Sequence, residues 1–153
     1  MAAKKRAKIV ETPEPLKRPK WRDDPQIDGS GPLSWRFSIC DREGPFRWEL
    51  TPDDAHSVMA RLAEFETKTW AEIEATGSHR IECQSLDKPA RDRLVEIGQD
   101  DLDELMSFRM NGACRVWCIA DNALMRVLWW DPQHQVYPTE PDKADRRKRQ
   151  KRR

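Results

Sequence analysis

The chain has 153 residues, a length that suits one domain, and it is 37% hydrophobic and 36% charged with a net charge of +1. Charged residues normally make up about a quarter of a globular chain, so the composition implies a modest core flanked by polar segments. No apolar run is long enough to span a bilayer, and the charged N-terminal stretch has no apolar segment behind it, which argues against a signal peptide.

The small net charge hides a division. Residues 1–20 hold seven Lys/Arg and two Glu, and residues 143–153 hold eight Lys/Arg and one Asp. Residues 21–142 hold 13 basic and 24 acidic residues. An acidic body between two basic segments points to RNA or DNA as a partner for the segments and to a protein partner for the body. Seven Trp against one Tyr and four Phe supply large buried area from few residues.

In chain order, residues 1–33 read as a disordered, basic, Pro-rich segment with Trp21 as a local anchor. Residues 34–40 alternate around Trp35, Phe37 and Ile39, and residues 46–50 alternate around Phe46, Trp48 and Leu50. With Asp41-Arg42-Glu43-Gly44 between them, the two runs predict a β-hairpin. Thr51-Pro52-Asp53-Asp54 is a helix start, and Ala55, Val58, Met59, Leu62 and Phe65 follow at the spacing of one buried face. Thr69 with Glu72 makes a second capping pattern, so this helix is expected to break or kink near residues 67–69, and Gly77 ends it. Residues 79–83 read as a short strand. Asp87 caps a second helix with Pro89 in its first turn, Ala90, Leu94 and Ile97 facing inward, and Gly98 as its stop. Residues 99–104 form an acidic loop.

Residues 105–110, 113–120 and 123–130 predict a three-stranded antiparallel meander. Asn111-Gly112, read as a two-residue turn, places Phe108 opposite Arg115 and Arg109 opposite Cys114, on different faces. The third strand is apolar apart from Arg126, as a central strand buried on both faces would be, and it sends Trp129 and Trp130 to opposite faces, most simply as core. Asp131-Pro132 ends it. The expected fold is α+β: an N-terminal hairpin, two helices and the meander, in one antiparallel sheet with the helices on one face. Residues 34–137 form the domain, and residues 138–153 a disordered basic tail.

The four cysteines, Cys40, Cys83, Cys114 and Cys118, have no metal-ligand spacing and read as reduced core residues of a cytoplasmic protein. No P-loop, GxGxxG, HExxH or GxSxG occurs, so neither a metal nor another cofactor is expected. The candidate chemistry lies at the exit of the meander. Asp131, His134 and Tyr137 fit general acid–base work, with Asp131 orienting His134, or a surface loop whose polar groups only satisfy a turn, and the plainer reading carries more weight. Arg109, Arg115 and Arg126 are candidate phosphate contacts on successive strands, and Arg146, Arg147, Lys148 and Arg149 are candidate nucleic-acid contacts in the basic tail.

Two stretches, Arg115-Val-Trp-Cys-Ile and Val127-Leu-Trp-Trp-Asp-Pro-Gln-His-Gln-Val-Tyr-Pro138, resemble a C-terminal pattern of small uncharacterised bacterial and phage proteins, with Cys118 in place of a Gly. The order of helices and meander over residues 52–137 also looks like the RelE/ParE toxin superfamily. That resemblance implies a toxin–antitoxin-related protein that cleaves messenger RNA at the ribosome and pairs with an antitoxin-like protein. Arg109, Arg115 and Arg126 would then hold phosphate, and His134 or Tyr137 would manage the 2′-hydroxyl proton. The charge division motivates a second reading, a non-enzymatic binding module. Its acidic body meets a protein or mimics nucleic acid, and its basic segments bind nucleic acid.

Overall fold

A computed structural model of the chain describes residues 31–138. The elements are β1 (Ser34–Arg36), α1 (Pro52–Phe65), α2 (Trp70–Ala75), β2 (His79–Glu82), α3 (Lys88–Glu96), β3 (Glu104–Arg109), β4 (Arg115–Asp121) and β5 (Leu124–Asp131), with a 3₁₀ turn at Cys83–Ser85. The five strands form one mixed sheet in the order β1-β5-β4-β3-β2. β1 runs parallel to β5, and every other neighbouring pair is antiparallel.

The helix starts follow from their caps. Thr51 Oγ1 accepts from the Asp54 N–H at 3.2 Å, Pro52 opens α1, and Asp53 and Asp54 sit where the dipole favours negative charge. Thr69 and Glu72 exchange both bonds of a capping box, so the chain stops after α1 and starts again as α2, making three α-helices among the described residues.

The three long strands are buried on both faces, and this overturns the expectation of helices on one face only. Val58, Leu62 and Phe65 of α1 and Ile73 of α2 cover one face, against Phe108, Val116, Met125 and Trp130. Ala90 and Leu94 of α3, with Phe46 and Val136, cover the other, against Leu105, Trp117, Leu128 and Trp129. A sheet apolar on both sides needs a layer on each. Trp129 and Trp130 thus anchor different cores. A bulge sets Trp117 opposite Trp129 and Cys118 opposite Val127, so the extra residue, Leu128, joins Trp129 on the α3 side.

The N-terminal hairpin does not form. Residues 34–36 pair with β5 instead, Trp35 against Met125, and residues 37–50 are a strap without regular structure. The strap takes over the edge of β5 beyond β1. The Asp41 N–H donates to Leu128 O at 2.9 Å, and the Trp130 N–H donates to Phe46 O at 3.1 Å. Phe46 then enters the α3-side core while Trp48 and Leu50 lie against the other.

One carboxylate fixes the strap. Arg93 of α3 reaches Asp41 with two bonds, Nε to Oδ2 at 2.8 Å and Nη2 to Oδ1 at 2.7 Å. The Trp129 indole N–H donates to Oδ2 at 3.0 Å, and the Glu43 N–H donates to Oδ1 at 3.2 Å. Gly44 makes room for this pair: its φ of +77° suits only glycine, and a Cβ there would stand 2.5 Å from Arg93 Nε. Burial pushes the Asp41 carboxyl up, but the hydrogen bonds from Arg93, Trp129 and Glu43 outweigh it, and its pKa falls below the ordinary 3.8.

Asp41→Ala leaves the Arg93 guanidinium and the Trp129 indole without their acceptor, and about 3–5 kcal/mol of stability is expected to go in urea unfolding. Because the folded pKa lies below 3.8, the stabilisation is complete above that value and disappears as pH falls through the folded pKa. Below pH 3.8 the stability of the wild type should fall more steeply than that of Asp41→Asn, and parallel acid titrations of unfolding would refute the assignment.

Candidate functional site

Arg109, Arg115 and Asp131 form a row across three strands. Arg109 pairs with Arg115, and Arg115 pairs with Asp131. The register differs by one residue from that of a two-residue Asn-Gly turn. Met110 N–H donates to Cys114 O, so the loop holds three residues, 111–113, with Gly112 at φ +48°. The shift brings the two arginines face to face. Arg126 is not with them: it lies opposite Ile119 and beside Arg36, toward the other end of β5.

Two of the three groups in this row, Asp131 and Arg115, are engaged internally. Asp131 is 1% exposed and works as the cap of the loop that follows it. Its Oδ1 accepts from the Gln135 N–H at 2.8 Å. Its Oδ2 accepts from the Val136 N–H at 3.0 Å and from the Trp117 indole at 3.2 Å. The Asp131 bonds that the structure describes thus hold the loop and the indole, where orientation of His134 was expected. His134 is buried rather than displayed on a surface loop, with φ +54°. Tyr137 packs half-buried against the α3-side core. Arg115 is buried, and its Nη1 donates to Gly112 O at 2.8 Å and Cys114 O at 3.1 Å, tying the hairpin loop. Arg109 alone of the row is exposed; its backbone N–H donates to Ser78 Oγ. Arg146, Arg147, Lys148 and Arg149 lie outside the described residues.

The cysteines are all free, and burial is the first cause of a raised pKa at each, up to about 11 at Cys40 and Cys83. Burial thus disfavours the thiolate form that nucleophilic chemistry needs. Among the described residues there is no group of three His, Cys, Asp or Glu placed to hold a metal, and no helix long and apolar enough to cross a membrane.

An apolar concave surface lies elsewhere, between α1 and the strap. Phe37, Trp48, Leu50, Val58, Met59 and Leu62 line an apolar groove of about 430 Å³. Phe37 and Trp48 also wall a neighbouring cavity that contains Cys40, Arg42, Arg47 and Glu49. Phe37 is 44% exposed and Met59 71% exposed, although periodicity assigned Met59 to the buried face of α1. On the far side of Val58, α1 presents Asp54, Ser57, Arg61 and Glu64. Sequence reasoning passed over this surface because each of its residues looks like core in isolation.

Comparison with known proteins finds no match: no protein family, no curated protein and no solved structure resembles this chain.

Asp131→Asn replaces one acceptor oxygen by a donor that must face at least one N–H group, that of Gln135 at the Oδ1 position. A loss of about 2 kcal/mol or more is expected in urea unfolding, with loosening of residues 131–137 seen by limited proteolysis. Unchanged stability would show that Asp131 is not the cap of the loop and would reopen a chemical role.

Proposed function

We propose that the chain is a non-enzymatic binding module that holds RNA or DNA through its basic segments, residues 1–20 and 143–153. The charge division carries this reading. The described body, residues 31–138, has 12 basic and 19 acidic residues, whereas residues 143–153 have eight basic and one acidic. Phosphates are drawn to the segments and repelled by the body, so contact concentrates at the segments and depends on salt. The engagement of Asp131 by the Gln135 and Val136 amides and the Trp117 indole supports binding over catalysis, because a carboxylate occupied by three donors is poorly placed to orient a catalytic base.

Cleavage of RNA, as the resemblance to RelE-like toxins implies, is the competing reading, and the facing of Arg109 and Arg115 beside Asp131 favours it. One experiment separates the two. Labelled messenger RNA is incubated with the full chain, with and without ribosomes, and both integrity and retention are read. Binding predicts intact RNA that is retained. If about six phosphates are neutralised, affinity drops about a thousand-fold between about 50 and 200 mM salt. Deleting residues 143–153 should weaken retention and flatten the salt slope, and retention unchanged by the deletion would refute the proposal. RNA cut by the wild type and left whole by His134→Ala would establish the enzyme instead.

A further inference from the structure

We infer that Asn111 is a site of covalent modification. Its side chain closes onto the Gly112 nitrogen, loses ammonia and leaves aspartate or isoaspartate, and the isoaspartate unties the loop between β3 and β4. The reacting groups are neighbours in the chain, so the chemistry needs only that both be open to water and free to meet.

Three observations meet at this dipeptide. Asn111, Gly112 and Ala113 are all exposed. Among the described residues neither the Asn111 carboxamide nor the Gly112 N–H has a hydrogen-bond partner, although the Asn111 carbonyl accepts from the Cys114 N–H and the Gly112 carbonyl from Arg115. Apart from its chain neighbours, a Cβ built on Gly112 would meet nothing within 4 Å, and glycine has none to shield its own nitrogen. The chain's other asparagine is placed the opposite way. Asn122 precedes Ala123, which is fully buried and whose carbonyl accepts from the Ser34 N–H at 2.9 Å. There a Cβ stands beside the nitrogen that would attack, and the packed turn holds that nitrogen in place.

The step balances with water and hydroxide alone. Hydroxide takes the Gly112 amide proton, the nitrogen bonds to Asn111 Cγ, and the Cγ–Nδ2 bond breaks, with Nδ2 leaving as ammonia. Water then opens the cyclic imide. Addition at Cγ restores the original main chain and leaves aspartate. Addition at the Asn111 backbone carbonyl leaves isoaspartate, whose main chain runs through the former side chain and is longer by a methylene.

That methylene falls where the loop closes. The Cys114 N–H donates to the Asn111 carbonyl at 2.8 Å, the Met110 N–H donates to the Cys114 carbonyl at 3.0 Å, and Arg115 Nη1 donates to the Gly112 carbonyl at 2.8 Å. All three bonds depend on the length of main chain between residues 110 and 115. Either product also brings a carboxylate to the cleft that Asn111 lines with Asp54, Arg61 and Glu64, where Arg61 already serves Glu64. Isoaspartate therefore loosens the turn that sets Arg109 opposite Arg115.

The experiment holds the full chain at physiological temperature in mildly alkaline buffer, folded and in urea, and then cuts it at arginine. In the folded chain the peptide 110–115 should gain the mass of an amide turned acid and take methyl label from an isoaspartyl methyltransferase. The peptide 116–126, which carries Asn122, should stay unchanged. Conversion should quicken as pH rises, because the attacking nitrogen must lose its proton. Asn111→Ser should abolish both the mass gain and the label. A peptide 110–115 that stays unmodified in the folded chain, whether or not it converts in urea, would overturn the inference. Hydrogen exchange tests the untying of the loop. The Met110 and Cys114 amides should lose protection in the isoaspartyl protein and keep it in Asn111→Asp, which adds the charge without the longer main chain. Equal protection in the two proteins would show that the loop survives the modification and would sink that half of the inference.

Discussion

The bidentate pair between Arg93 and Asp41, with the indole that shares its carboxylate, ties three parts of the chain together at one point. Asp41 belongs to the strap, Arg93 to α3, and the indole that shares the carboxylate belongs to β5. A carboxylate taken out of water costs several kcal/mol unless its lone pairs are satisfied, and here four donor groups satisfy them. The worth of the pair therefore lies less in net stability than in allowing one arrangement only. With Asp41 in place, its backbone N–H meets Leu128 and its carbonyl receives the Trp48 N–H, and the strap becomes the cover of the β5 edge and one wall of the groove.

The same device appears a second time, one strand over. Trp117 and Trp129 are cross-strand partners facing the α3-side core, and each indole N–H donates to a buried carboxylate, Asp131 and Asp41 respectively. A buried indole needs an acceptor, and each of these acceptors also organises an irregular segment, residues 131–136 in one case and the strap in the other. The Trp-rich sheet is thus core, and its polar neighbours exist largely to satisfy that core. Asp131, read in the sequence as part of a catalytic exit, accepts from the Trp117 indole and from the Gln135 and Val136 amides.

Much of the body was legible from local chemistry. Thr51-Pro52, the Thr69 and Glu72 capping box and Pro89 announced the helices, and the near-continuous apolar run of β5 announced a strand buried on both faces. Long-range choices were not legible. Three alternating apolar residues at 35, 37 and 39 show that a strand is possible but not which strand it joins, so β1 was assigned to a local hairpin instead of β5. The loop after β3 hinged on a single residue, since Asn111-Gly112 serves a three-residue loop as well as a two-residue one, and that difference decides whether Arg109 meets Arg115. Met59 carries the periodicity of core yet sits on the rim, because periodicity gives a face and not its width.

Binding of nucleic acid is proposed for the basic segments, residues 1–20 and 143–153. The strap is held in one position by Asp41, and native-state hydrogen exchange on Arg93→Ala tests that dependence directly. The account predicts that the Trp130 and Trp48 amides, whose acceptors are Phe46 and Asp41 carbonyls, lose protection together while β3 and β4 amides keep theirs. Uniform loss across the sheet, or protection at Trp130 and Trp48 equal to wild type, would contradict it.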